Sequence, residues 1–348
     1  MKSFDKKYLA ALTIPHHLIT IIRQIGEYKG KQELYKKQAP EMLENLRHVA
    51  IIQSTESSNR LEGITADIQR IKDLVEEKTK PANRSEAEIA GYRDVLSTVQ
   101  ANYEHIPFNK SVLLQFHRDL MKYAGKEGGR WKSVSNEITE ILPDGTKKIR
   151  FVPVAPHLTP DYMQTLHERY ESVSKEGDID PLILIALYVL DFLCIHPFLD
   201  GNGRMARLIT LLLLYRNGYE VGRYISLERV IEQTKESYYE TLQKSSQGWH
   251  KGKHDALPWV EYALSTILAA YKEFESRFAG VSKGRGSKTD IVMNAIDSIV
   301  GDFSVSDLEK ACPDVSVDMI RHVLKKLKKD DRISSLGKGR FARWRKVK

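Results

Sequence analysis

Cysteine is almost missing from this sequence. Cys194 and Cys312 are the only two in 348 residues, and they fall in different predicted segments. That excludes a disulfide framework, and there are no zinc-spaced cysteine pairs. Cys194 is expected to pack as a small apolar residue. No apolar run is long and uninterrupted enough to span a bilayer. The opening Met1-Lys2-Ser3-Phe4-Asp5-Lys6-Lys7 lacks the apolar centre of a signal peptide. These absences predict a chain without membrane contact, working in the reducing cytoplasm. Internal repeats and a P-loop are also lacking. The net charge is +8, yet most of the chain is close to neutral. Residues 281–348 hold 16 Lys and Arg against 9 Asp and Glu, so the excess belongs to one C-terminal module.

One stretch is dense with chemistry: His196-Pro197-Phe198-Leu199-Asp200-Gly201-Asn202-Gly203-Arg204-Met205-Ala206-Arg207. Before it, Pro181 to Ile195 is almost wholly apolar, and Asp180 followed by Pro181 reads as an N-cap with proline at the first helical position. Pro197 disfavours helix at His196. Gly201-Asn202-Gly203 tolerates positive φ and can turn its amides into one anion-binding concavity. A second apolar helix then runs from about Asn202 to Tyr215 and stops near Asn217-Gly218, its N-terminus adding partial positive charge to the nest. Arg204 and Arg207 are three apart and can clamp a polyphosphate. Asp200 is a hard oxygen ligand suited to a magnesium ion that also touches phosphate. His196 can take a proton from an attacking hydroxyl, and Phe198 is the apolar plug of the loop. The pattern predicts nucleotidyl or phosphoryl transfer with a histidine base.

At these residues the sequence resembles the Fic (Fido) family, whose signature is His-Pro-Phe, any residue, Asp or Glu, Gly-Asn-Gly-Arg, two residues, Arg; positions 196–207 match every fixed place. The resemblance implies transfer of AMP from ATP to a Ser, Thr or Tyr hydroxyl of a protein, which can be the chain itself. It implies His196 as general base and Asp200 as the Mg²⁺ ligand. Gly201, Asn202 and Gly203 would hold phosphates, and Arg204 and Arg207 the outer phosphates of ATP. Upstream, Ser58-Asn59-Arg60-Leu61-Glu62-Gly63 reads in isolation as a helix end. It also resembles the family's inhibitory pattern, Ser or Thr, three residues, Glu, then Gly or Asn. By that resemblance Glu62 pairs with Arg207, occupying the donor fork that should grip the γ-phosphate.

The resemblance implies a mainly α fold: an N-terminal helical region with the inhibitory helix (1–104), a Fic catalytic core (105–280) and a C-terminal module (281–348). Within the first region, helices are expected from Pro40 to Arg60, from Gln69 to Lys80, and from Ser85 to about Asn102. Val112-Leu113-Phe116-Leu120 opens the core as an amphipathic helix. Ile138–Leu142 and Lys147–Phe151 flank Pro143-Asp144-Gly145-Thr146 as a hairpin, which the family reading makes a flap where an extended target segment adds as a strand. Asp161 to Ser172 is helical. One helix is expected from Leu227 to Leu242, capped by Ser226; the family resemblance implies that it lines the adenine pocket, with Tyr239 as a nucleotide contact. Another runs from Pro258 to about Phe278. A linker over 281–288 leads to three helices and a basic hairpin, Arg332–Ser335 and Arg340–Trp344 around Gly337-Lys338-Gly339. This resembles a winged helix-turn-helix, with Lys325, Lys326, Lys328, Lys329, Lys338 and Arg340 facing DNA phosphates. The alternative function is a nucleotide-sensing, DNA-binding transcriptional regulator. Whether the chain acts alone or as a homodimer is left open.

Overall fold

In the computed structural model the described residues are 3–141, 146–282, 288–299, 301–312, 315–337 and 342–347. Their order is α1 (Lys6–Ala11), α2 (His16–Gln38), α3 (Pro40–Arg60), α4 (Ile68–Val75), α5 (Arg84–Asn102), α6 (Lys110–Met121), β1 (Ile138–Ile141), β2 (Lys147–Phe151), α7 (Thr159–Glu176), α8 (Pro181–Ile195), α9 (Asn202–Arg216), α10 (Leu227–Gln233), α11 (Lys235–Ser246), α12 (Leu257–Ser282), α13 (Lys288–Ser298), β3 (Phe303–Ser304), α14 (Val305–Ala311), α15 (Val317–Lys329), β4 (Ile333–Ser335) and β5 (Arg343–Lys346). The fold is mainly helical, as expected.

The centre is the pair α8 and α9. Apart from Pro181, every residue of α8 is buried, which is why its sequence is apolar on all sides rather than along one stripe. Asp180 accepts from the amide of Leu182 at 2.8 Å and starts the helix as its capping pattern predicts. Around the pair pack α7, α11 and α12 on the α8 side and α3, α5 and α6 on the α9 side. Cys194 is buried among apolar neighbours, as expected. The long α2 lies along α12. The loop joining α8 to α9 is therefore carried by two buried, well-packed helices.

Two expected helices differ. The helix from Gln69 to Lys80 ends at Val75, because Glu77 takes a left-handed turn (φ 56°). Arg70 then draws the segment back, donating to Thr79 Oγ1 at 2.8 Å, to the Lys80 carbonyl at 3.2 Å and to Glu86. The helix from Leu227 to Leu242 breaks at Thr234 into α10 and α11. Thr234 Oγ1 donates to the Val230 carbonyl at 2.9 Å and lies 2.8 Å from the Tyr262 hydroxyl, a side-chain competition that bends helices. The halves also take different partners, α10 on α3 and α11 on α12.

The C-terminal residues have their own apolar cluster, built on Val292, Phe303, Leu308, Ile320, Leu324 and Ile333. The expected two-strand hairpin is part of a three-stranded antiparallel sheet in the order β3-β5-β4. Phe303 opposite Trp344 marks the added strand. The expected linker begins later than 281, since α12 continues to Ser282. The turns at 142–145 and 338–341, including Lys338 and Arg340, and the linker residues 283–287 lie outside the described residues.

Candidate active site

His196 ends α8 in the left-handed region (φ 51°), its amide still donating to Phe192 at 2.8 Å. A β-substituted residue there carries strain of about 1–3 kcal/mol, which the surroundings must hold. Phe198 is fully buried, as the plug reading required. Its ring stacks on His117 with centroids 3.7 Å apart. Asn202 closes the loop: its Oδ1 accepts from the Phe198 amide (2.9 Å) and its Nδ2 donates to the Phe198 carbonyl (2.7 Å). The Asn202 side chain thus braces the turn, leaving its backbone for any anion. Gly201 (φ 79°) makes the reversal that a larger residue would resist, and no side chain caps α9. The first-turn amides of α9, from Asn202 on, face an uncapped, electropositive helix end.

The imidazole is set up as a base. Nδ1 of His196 lies 3.4 Å from the Leu193 carbonyl, so the proton sits there and Nε2 keeps a lone pair. Burial, helped by the nearby Lys132 ammonium, pushes its pKa down to about 4. His196 is neutral at pH 7.

The two arginines of α9 are both buried and take different partners. Arg204 is completely buried; its Nη2 lies 2.9 Å from Glu88 and 3.4 Å from Asp200, while its Nε and Nη1 have no hydrogen-bond partner among the described residues. Glu88 on α5 also meets Arg84 (3.1 Å) and Lys126 (3.2 Å), making it a buried hub for three cations. Lys126 reaches on to Asp200. Burial works against the charge of Asp200, but Lys126 and Arg204 more than offset it and hold its pKa below the usual value. Arg207 donates through Nε to Ser58 Oγ and through Nη2 to the Ser58 carbonyl, both at 2.8 Å, and to Glu62 Oε1 at 2.7 Å. Burial disfavours the guanidinium charge, and Glu62 restores it. The carboxylate of Glu62 also lies against Gly203: a Cβ there would run into Glu62 Oε1. Glu62 and Arg207, expected to pair, lie 2.7 Å apart, and Ser58 and Gly203 adjoin the pair as well.

Among known proteins, the Fic/DOC family profile matches residues 107–214. The chain carries a Fic/DOC family domain. It is 27% identical over 198 residues to protein adenylyltransferase fic-1 of Caenorhabditis elegans, covering 56% of this chain and 33% of that protein. Against protein adenylyltransferase Fic of Nematostella vectensis it is 28% identical over 224 residues, covering 61% and 46%. The chain thus spans a third to just under half of these relatives. A Fic family protein from Desulfovibrio desulfuricans shares the fold over 97% of both chains, with TM-score 0.62 and 23% identity. Fic-1 of C. elegans aligns over 75% of this chain and 72% of its own with TM-score 0.57 and 19% identity.

Within and beside the Fic domain, several residues matter that the sequence did not single out. Glu88, Lys126, His117 and Lys132 all touch the loop or its arginines from distant segments. His117 accepts from the Gly129 amide at Nδ1 (3.0 Å), so Nε2 carries the proton toward the Asp200 carbonyl at 3.1 Å. Glu88 left a trace: a glutamate in the otherwise small and apolar Ala87–Tyr92 run signals a buried carboxylate. Tyr239, expected as a nucleotide contact, lies beside the segment that carries Glu62. Its hydroxyl donates to the Leu61 carbonyl at 3.2 Å and steadies the segment bearing Glu62. The helix α3 is itself anchored by Ser54, which donates to Glu228 at 2.7 Å; Tyr92 donates to the other oxygen of Glu228 at 2.8 Å. The hairpin forms as expected, Thr139 opposite Ile149, and Arg150 of β2 donates to Gln243 of α11 at 2.9 Å.

Burial also holds His117, His167 and His254 near pKa 4, alongside His196. Each folded value lies below the unfolded one of 6.5, so the unfolded chain takes up protons that the fold refuses. Stability from these groups is full above pH 6.5 and is lost as pH falls toward 4. Asp191, raised to about 6 by burial, opposes this with the reverse sign: its contribution is full below 3.8 and lost as pH rises through 6. Four groups outweigh one. The melting temperature is expected to drop by several degrees between pH 7.5 and pH 5 in a calorimetric series; a rise would contradict the assignment.

Proposed function

We propose that this chain is a protein adenylyltransferase, transferring AMP from ATP to a Ser, Thr or Tyr hydroxyl of a protein, and that Glu62 restrains it. The observation that carries the reading is the Nε2 of a neutral His196, without a hydrogen-bond partner among the described residues, beside an uncapped helix end flanked by two buried guanidiniums. His196 Nε2 takes the proton of the acceptor hydroxyl. The oxygen attacks the α-phosphorus, the bond to the bridging oxygen of the β-phosphate breaks, and pyrophosphate leaves. The amides of Gly201, Asn202 and Gly203 and the Nε and Nη1 of Arg204 bind phosphate oxygens, and Arg207 grips the outermost phosphate once Glu62 has left it. The β1–β2 hairpin holds the target segment by strand addition.

A magnesium ion fits Asp200, whose carboxylate is about half exposed. Among the described residues no group of three His, Cys, Asp or Glu could hold an ion alone, so Asp200 would share it with phosphate and water. When bound, the ion neutralises phosphate charge. The test is mass spectrometry of lysate proteins after incubation with the Glu62→Gly variant and ATP. AMP on hydroxyl side chains supports the reading, and no AMP-bearing peptide, with ATP bound normally, contradicts it.

A second reading concerns the C-terminal module, taken as a winged helix that binds DNA. Its support is the exposed face of α15, where Lys325, Lys326, Lys328 and Lys329 carry charge without an ion-pair partner among the described residues. In this reading the nucleotide site regulates DNA retention. Affinity for duplex DNA is then expected to fall steeply with salt, with a log–log slope of about −0.9 per phosphate contacted. Binding absent at low salt would remove this reading and leave the enzyme reading intact.

A further inference from the structure

Lys132 is a buried lysine with an unusual setting. It is 3% exposed, and among the described residues no carboxylate pairs with it. Its Nζ donates to the Ile195 carbonyl at 3.1 Å and to Asn136 Oδ1 at 2.9 Å. Its amide donates to the Pro197 carbonyl at 2.8 Å. Asn136 in turn donates through Nδ2 to the Phe198 carbonyl at 3.1 Å. The carbonyls at 195, 197 and 198 are thus all held from one short segment, and they bracket the one residue of the loop in a left-handed conformation other than glycine, His196.

We propose that Lys132 is the positioning residue for His196, its amide, its ammonium and the Asn136 side chain together fixing the turn that aims the imidazole. The inference rests on the reading of His196 as the base. A neutral side chain could make similar hydrogen bonds to carbonyls. An ammonium does so more strongly, and its charge adds a second effect. Burial lowers the Lys132 pKa to about 8, so it is still mostly charged at pH 7. That charge works against protonation of His196, while Glu62 and Asp200 work weakly the other way. The ammonium therefore supports both the aim of the base and its readiness to accept a proton. Coupling of this kind predicts a defect in turnover rather than in nucleotide affinity.

The experiment uses the full chain carrying Glu62→Gly, so that transfer can be measured, with Lys132→Met, Lys132→Arg and Asn136→Ala added singly. ATP affinity is read by calorimetry and turnover by label from α-labelled ATP. The His196 ring is followed by NMR of labelled histidine, assigned by its loss in His196→Ala. Lys132→Met is expected to lower kcat roughly 10- to 100-fold, the scale of an ångström of misplacement. ATP affinity should stay within a few-fold, and the His196 titration should move to higher pH. Lys132→Arg, keeping the charge and the donors, should restore much of both. Unchanged kcat with an unchanged His196 titration would overturn the proposal. So would a Lys132→Arg variant as damaged as Lys132→Met with ATP binding lost in step. If Lys132→Met does not fold, Asn136→Ala decides: lowered kcat with ATP binding retained supports the clamp, and unchanged kcat overturns it. If the Glu62→Gly parent itself transfers nothing, the enzyme reading fails, while the NMR titration still tests the Lys132–His196 coupling.

Discussion

Replacing Glu62 by glycine is expected to raise AMP transfer roughly 10- to 1,000-fold, the range that about 1.4 to 4.1 kcal/mol of competing contact would give. The carboxylate holds Arg207 at 2.7 Å and lies against Gly203, the two places where the proposed function puts the triphosphate. A carboxylate and a phosphate cannot share that fork, because both are anions seeking the same donors. Removing Glu62 frees the fork without disturbing Ser58, which still accepts from Nε and Nη2 of Arg207. The same change should lower stability in the absence of nucleotide. The loss is smaller than the ~3–5 kcal/mol of breaking a fully buried pair, since Glu62 keeps 32% of its side chain exposed. ATP should then stabilise Glu62→Gly more than the parent, measured as a larger rise in melting temperature. Equal transfer and equal ATP stabilisation in both proteins would contradict the assignment of Glu62.

His196→Ala, made in the Glu62→Gly protein, is expected to lower kcat by roughly 10²- to 10⁴-fold, the usual contribution of a positioned base. ATP affinity should change little, because the phosphates are held by amides and guanidiniums rather than by the imidazole. The pH profile carries a separate signature. With His196 held at about 4, the base is already unprotonated through neutral pH. In kcat/KM, which reports the free enzyme, the acidic limb should fall only as pH drops toward 4, well below the 6.5 of an ordinary imidazole. A limb centred near 6.5 would mean that the ring is solvated and that burial does not set its charge.

The loop was legible in the sequence because its chemistry is contiguous. His196, Phe198, Asp200, Gly201 and the two arginines lie within twelve positions, and proline and glycine punctuate them. Glu62 was legible only through the resemblance: in isolation Ser58 to Gly63 reads as a helix end, and the family's inhibitory pattern is what singles it out. The residues that hold the loop were not legible. Glu88, Lys126 and Lys132 come from α5 and the segment after α6, and only the tertiary fold brings them to Arg204, Asp200 and Ile195. Their neighbours in sequence say nothing about a partner 60 or more positions away. Arg204 and Arg207 share a helical face by spacing, yet each turns to a different carboxylate, which spacing alone does not decide. The break at Thr234 was not legible either, since the Thr234 hydroxyl and its neighbour Tyr262 come together only in the fold.

The most direct measurement is transfer of label to protein from ATP carrying it in the α-phosphate or in the γ-phosphate, with Glu62→Gly and Glu62→Gly/His196→Ala compared side by side. The account predicts label on protein from the α-position alone, strong in the single variant and lost in the double. Label arriving from the γ-position, or label that persists without His196, would contradict it.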